Sequence, residues 1–176
     1  RTKSKIFTLL KRLIFKENYF VSHIMKFEFS AGGIVYKNKK SNLKSQKDDL
    51  LILVAKHSQH HGWVFPKGLI GDNPSASSGQ EKETKEQAAI REVKEETGIE
   101  GEIENHIEPV TYWYVFEGEK IKKTVYYFIM KHIGGDITDH DHEMEEVEWI
   151  DYNDVSERLT YPSDKKAWKA AKQLIT

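Results

Sequence analysis

The chain is predicted to adopt an α/β fold, a mixed β-sheet flanked by helices, on three observations. The run over 84–97 consists almost wholly of helix formers, with no Gly or Pro inside it. Separate runs over 27–36, 50–56, 107–116, 121–133 and 147–150 are apolar or alternate with period two, and they are rich in β-branched and aromatic residues. A last run over 163–175 carries Ala167, Trp168, Ala171 and Leu174 at helical spacing, as a buried stripe requires.

A length of 176 residues suits one domain with a real core. The formal net charge of -1 gives no global electrostatic reason to expect DNA or an anionic membrane as partner. There is no cysteine, which excludes disulfides, thiolate metal sites and a cysteine nucleophile, and makes a reducing cytoplasm the expected setting. No apolar run approaches the roughly 20 residues that span a bilayer. Oligomeric state leaves no signature in the sequence.

Taken in order, the chain opens with a basic extension over 1–24, ahead of a domain over 25–176. Arg1, Lys3, Lys5, Lys11, Arg12 and Lys16 are interleaved there with Ile6, Phe7, Leu9, Leu10, Leu13, Ile14 and Phe15. That pattern fits a membrane-surface or presequence helix, a helix docked on the domain, or translated sequence upstream of the true start. The strand over 27–36 contains the pair Gly32-Gly33, which predicts a close backbone approach. A polar loop over 37–49 leads to a buried strand over 50–56. His57, His60 and His61 follow in a polar loop, where solvated side chains are expected; if they act, contact with phosphate or base is the expectation. Trp63-Val64-Phe65-Pro66-Lys67-Gly68 then forms a short strand entering a loop over 69–82.

Thr84 is placed to cap the helix over 84–97 at its start, and Gly98 to stop it. At roughly 100° per residue, Ala89, Ile90, Val93 and Thr97 fall on a sheet-facing side, while Glu92, Glu95 and Glu96 converge on another. Like charges at this spacing cost an isolated helix about 0.2–0.5 kcal/mol per pair, so a cation is expected among them. Hard divalent ions such as Mg²⁺ or Mn²⁺ suit carboxylates, because they keep waters and substrate phosphates as further ligands. After the helix, strands over 107–116 and 121–133 form a hairpin around Glu117-Gly118-Glu119-Lys120, and Gly134-Gly135-Asp136 breaks the sheet. A second acidic cluster, Asp139 to Glu146, precedes the strand over 147–150.

The nine residues Arg91-Glu92-Val93-Lys94-Glu95-Glu96-Thr97-Gly98-Ile99, with Glu83 seven residues ahead of them, resemble the signature of the Nudix hydrolases. The match is less close at Gly68, which fourteen residues separate from Glu83 where the family pattern has five. Loops absorb such insertions cheaply, at about 0.6 kcal/mol per doubling of length. The resemblance covers roughly 27–175 and implies an α/β/α sandwich with an acidic catalytic helix.

It further implies that Glu92, Glu95, Glu96 and Glu143, the last standing six residues before Trp149, hold Mg²⁺ or Mn²⁺. Arg91 would orient a box carboxylate, Glu83 and Gly98 would support the box, and Glu92 or Glu143 would serve as general base. Lys67 and Gly68 would meet a phosphate chain. Among the aromatic rings of the hairpin, Tyr112 and Tyr127 are the candidates to hold a nucleobase. The implied reaction is hydrolysis of a nucleoside diphosphate linked to another group. Dinucleoside polyphosphates are favoured by Phe65-Pro66-Lys67-Gly68, the aromatic strands and Tyr161-Pro162; RNA 5′ ends and oxidised nucleoside triphosphates are alternatives. A non-catalytic nucleotide-binding module is the rival of a different class, and such modules usually lose the glutamates kept here.

Overall fold

In a computed structural model, residues 25–39, 49–71 and 82–175 are described. In chain order the elements are β1 (Lys26–Asn38), β2 (Leu50–His57), β3 (Trp63–Val64), β4 (Lys67–Leu69), α1 (Lys85–Thr97), β5 (Ile99–His106), β6 (Val110–Phe116), β7 (Glu119–Gly135), β8 (Met144–Asp151), α2 (Val155–Arg158) and α3 (Pro162–Ala171). The strands make one sheet with the path β3-β2-β1-β7-β5; β4 also pairs with β1, β6 with β7 and β8 with β2. β1 and β7 run parallel from Lys26↔Ile121 to Tyr36↔Lys131, and the other pairings are antiparallel. The sheet is therefore mixed, as expected.

Alternation along β1 divides the core between the two faces. Ala31 and Val35, with Leu53, Ala55, Phe128 and Met130, pack under Ala88, Ala89 and Val93 of α1. Ile34, Ile52, Val54, Phe65, Tyr127 and Ile129 meet Ala167, Trp168 and Ala171 of α3 on the other side. The close approach expected at Gly32-Gly33 is present: a Cβ on Gly33 would stand 2.5 Å from Val93 Cγ2 and one on Gly32 2.2 Å from the Pro66 carbonyl oxygen. Helix α1 thus lies directly on the sheet, and β4, which begins at Lys67, pairs directly with β1.

Thr84 and Gln87 close a reciprocal capping box, and Gly98 (φ 71°) ends α1 by donating its N–H to the Lys94 carbonyl at 2.8 Å. Ile90 is a correction: it is 43 % exposed. The buried arc is Ala88, Ala89, Glu92, Val93, Glu96 and Thr97, and Ile90 falls just past its edge at about 100° per residue. Two of the acidic residues thus share the sheet-facing arc that the sequence reading gave to apolar residues alone.

Strand β5 was not expected. Its alternation of Ile99, Gly101 and Ile103 with Glu100, Glu102 and Glu104 is diluted by charge, and it pairs with β7 through two register irregularities. Gly134 and Gly135 lie inside β7, so the break begins at Asp136. Helix α3 ends at Ala171; Leu174 is 43 % exposed and Ile175 takes the buried place assigned to it. The expectations for 1–24, and for most of the loop over 69–82, lie outside the described residues.

Candidate active site

The site is built where β4 passes beneath α1. Gly68 lies against Glu92 so closely that a Cβ there would stand 2.1 Å from the Glu92 carboxyl carbon. One residue earlier, the Lys67 backbone N–H donates to Glu96 Oε2 at 2.8 Å. Both carboxylates are buried, because they belong to the arc of α1 that faces the sheet. Burial raises the Glu92 pKa, with Arg91 opposing it. Burial likewise pushes Glu96 up to about 8, with Lys67 opposing it. The sheet side of the acidic helix therefore stores two carboxylates under-compensated for their charge.

Arg91 ties the remaining box residues together. Its guanidinium donates to Glu92 Oε1 at 2.6 Å and Glu95 Oε2 at 2.9 Å, and it grips both oxygens of Glu83 at 2.7 and 3.0 Å. It also reaches the Leu69 carbonyl at 3.2 Å. Glu83 accepts the Gly71 N–H at 2.8 Å as well, so the residue that orients Arg91 also pins the chain leaving β4. Hydrogen bonds from Arg91 are the first cause holding Glu83 below the usual carboxylate range.

Glu143 comes from the turn before β8. Asp141 donates its N–H to the Glu95 carbonyl at 3.1 Å, and Ser58 donates to the Glu143 carbonyl at 2.9 Å. The turn is thereby clamped between α1 and β2. Glu145 and Glu146, its nearest rivals in sequence, are occupied by Lys56, and Glu145 by His61 also.

These residues open on a cleft of about 980 Å³. Lys67, Gly68, Arg91, Glu92, Glu95, Glu96, Glu143 and Tyr112 all line it, so the structure brings together most of what the sequence singled out. Glu83 stands behind Arg91, and Gly98 is at the far end of α1. Tyr127 is a correction: its ring is buried at 1 % exposure against Phe65, with its hydroxyl on Asp164 at 3.0 Å. It presents no face to a base.

Other residues line the cleft as well, among them two of the histidines expected to meet phosphate or base if they act. His57 and His60 stack at 4.1 Å between ring centroids, whereas His61 turns to Glu145. Backbone N–H groups of Gln59 and Gly62 donate to Nδ1 of His57 and His60 at 3.1 and 3.2 Å. An accepting Nδ1 favours the neutral ring with its proton on Nε2. Burial lowers both pKa values. Tyr114, Lys123 and Tyr161 also line the wall, with Tyr114 donating to Glu28 at 2.7 Å and Tyr161 meeting His60 Nδ1 at 2.8 Å. Strand alternation was the available signal for Tyr114 and Lys123: Tyr112 pairs in register with Lys123, and Tyr114 stands two residues along the same face.

Among the described residues, no three His, Asp or Glu side chains are drawn together into a ready cation cage. Arg91 supplies the positive charge between Glu92 and Glu95. The donor chemistry nevertheless fits a hard divalent ion: the lining carboxylates offer oxygen, and the Glu96 carboxylate, buried and with its pKa raised, has a backbone N–H as its one hydrogen-bond partner among the described residues.

Comparison with known proteins supports the same reading of the fold. The NUDIX domain family model matches residues 28–173. The putative mutator protein MutT4 of Mycobacterium tuberculosis is 34% identical over 148 residues, which is 84% of this chain and 56% of that protein. The 8-oxo-(d)GTP phosphatase of Mycolicibacterium smegmatis is 30% identical over 115 residues, 65% of this chain and 31% of that protein. This chain thus spans about half the length of the first relative and a third of the second. Among solved structures, a C. elegans Ap4A hydrolase binary complex superposes with a TM-score of 0.55 at 19% identity, covering 84% of this chain and 96% of that one.

Proposed function

The chain belongs to the NUDIX domain family, and from that premise we propose that it hydrolyses a phosphoric anhydride of a nucleoside diphosphate joined to a further group, with Mg²⁺ or Mn²⁺. The observation that carries this reading is the pair of buried carboxylates, Glu92 and Glu96, lining a cleft that also presents Lys67 and Tyr112. Nothing in the packing of α1 calls for charge on its sheet-facing arc, and a purely structural helix would place apolar residues there.

Glu92, Glu95, Glu96 and Glu143 would hold the ion. When bound, it neutralises phosphate oxygens and makes phosphorus easier to attack. The protein's own groups do the rest. Lys67 and Lys123 offer positive charge to the phosphate chain, and Arg91 keeps Glu92 and Glu95 in fixed orientation. A lining carboxylate takes a proton as water attacks: the new bond is water oxygen to phosphorus, the bridging P–O bond breaks, and the leaving phosphate carries off the electron pair. Glu92 suits proton acceptance through its raised pKa, and Glu143 through its place in the cleft lining, near enough to Glu92 and Glu96 to raise the pKa of both.

For the substrate, dinucleoside polyphosphates are favoured by aromatic surfaces at two places in the cleft, Tyr112 with Tyr114 on β6 and Tyr161 beside His60. Oxidised nucleoside triphosphates are the second reading, favoured by the 8-oxo-(d)GTP phosphatase among the relatives. Ion-exchange analysis of products from diadenosine tetraphosphate, an oxidised nucleoside triphosphate, triphosphorylated RNA and ADP-ribose separates them. ATP plus AMP from the tetraphosphate is the expected result. A monophosphate from the oxidised nucleotide alone would move the substrate, and binding without turnover of any of them would replace the enzyme by a nucleotide-binding module.

A further inference from the structure

Three carboxylates are buried among the described residues: Glu92, Glu96 and Asp164. The third lies on α3, outside the acidic helix, and is 1 % exposed. Its Oδ1 accepts the Phe65 N–H at 3.1 Å and the Tyr127 hydroxyl at 3.0 Å, and its Oδ2 the Ser163 hydroxyl at 3.2 Å. The nearest cation is the Lys67 ammonium, 3.6 Å from Oδ1, which also donates to the Phe65 carbonyl at 3.2 Å. We propose that Asp164 is a positioning residue that acts through Lys67, holding its ammonium at the floor of the cleft and its backbone N–H on Glu96.

The argument is one of charge and leverage. A carboxylate buried beneath the cleft beside Phe65 and Tyr127 is costly unless a cation stays near it, and Lys67 is the only one placed to do so among the ion pairs of the described residues. Lys67 is correspondingly withdrawn, its side chain 13 % exposed although it lines an open cleft. Neighbouring contacts strap the same segment of chain to the same turn. Trp63 donates its N–H to Thr160 Oγ1 at 2.9 Å, Thr160 returns its N–H to the Trp63 carbonyl at 3.0 Å, and the Tyr161 ring lies against Gly62 where a Cβ would come within 2.5 Å. Residues 160–164 therefore fix the path of 62–67 from nearly a hundred positions away. Asp164 is the point of that strap that reaches a cleft-lining charge.

The first test needs no ligand. Trace acetylation of the intact protein with acetic anhydride, read by peptide mass spectrometry, gives the labelling rate of Lys67 against that of the exposed Lys120 in the same sample. Lys67 should label several-fold more slowly than Lys120 in the wild-type protein, and Asp164→Asn, which keeps the acceptor oxygen but not the charge, should abolish most of that protection. Equal rates for Lys67 and Lys120 in wild-type protein would overturn the proposal without recourse to any variant, as would unchanged protection in a folded Asp164→Asn protein.

The functional consequence rests on the hydrolase reading and is measured by a double-mutant cycle. Asp164→Asn should lower kcat/KM by about tenfold to a hundredfold, the usual range for residues that orient a ligand-binding group, and by less than about twofold in the Lys67→Ala background. Additive losses would mean that Asp164 acts independently of Lys67. If the wild-type protein hydrolyses nothing, the functional reading fails and the acetylation result still decides the role of Asp164.

Discussion

Lys67 touches two buried carboxylates from opposite ends: its backbone N–H donates to Glu96 at 2.8 Å, and its ammonium stands 3.6 Å from Asp164. The first residue of β4 thus joins the helix that carries the acidic box to the helix that closes the far face of the sheet. Substitutions at either carboxylate should be felt at the other's side of the sheet.

Glu96→Gln keeps the shape of the side chain and an acceptor for the Lys67 N–H while removing the charge. The variant should fold, and in the absence of divalent ions it should be at least as stable as wild type near neutral pH. Turnover should fall by several orders of magnitude. Paired thermal melts and kcat measurements check this; near-normal kcat would remove Glu96 from the metal-binding set.

The pH dependence of metal-free stability follows from the same group. Glu96 titrates at about 8 when folded, against an ordinary value of 4.5, so the folded state holds a proton that the unfolded state has lost in between. This contribution is full below about pH 4.5 and is lost as pH rises through about 8. Chelator-treated protein should therefore lose stability across that window, and Glu96→Gln should flatten the slope. Denaturant midpoints at several pH values test it, and a slope of opposite sign in wild type that Glu96→Gln leaves unaltered would contradict the burial argument.

Gly68→Ala places a methyl group where the Glu92 carboxyl group now lies. Either Glu92 or β4 must move, at a cost of about 1–3 kcal/mol as in other overpacked sites. Activity should fall further than the melting temperature implies, because the displaced group is a proposed ligand. Activity retained in step with stability would show that Glu92 has room to adapt.

Tyr112→Ala should raise KM by roughly tenfold or more, given about 1–3 kcal/mol for stacking of a base on an aromatic ring, with kcat little changed. Steady-state kinetics on the best substrate resolves the two. A fall in kcat at constant KM would place Tyr112 in the scaffold and shift base recognition to Tyr161 or Tyr114.

The sequence made the acidic box, both caps of α1 and the long strands legible, because each is encoded by local chemistry: a capping box, a left-handed glycine, alternation of apolar residues. What it hid depended on long-range register. The hairpin turn is only Glu117-Gly118, with φ of 50° and 82°, and this two-residue turn sets Tyr112 opposite Lys123. Reading the turn as four residues left that pairing unseen. The histidines at 57 and 60 read as loop residues because the segment is polar; His60 is held by Gly62 and by Tyr161, the latter a hundred residues on, and His57 stacks on it. Tyr127 was placed in the cleft by its neighbours' composition, whereas alternation along β7 turns it into the core beside Asp164.

The central claim is that the cleft with its buried carboxylates breaks phosphoric anhydrides. A ³¹P NMR time course with the purified chain, Mg²⁺ and diadenosine tetraphosphate tests it most directly, with Glu96→Gln and a chelator as parallel samples. The bridging phosphate signals should give way to those of ATP and AMP in the wild-type sample and persist in both controls. Bridging signals that persist in all three samples, with an oxidised nucleoside triphosphate equally untouched, would contradict the claim.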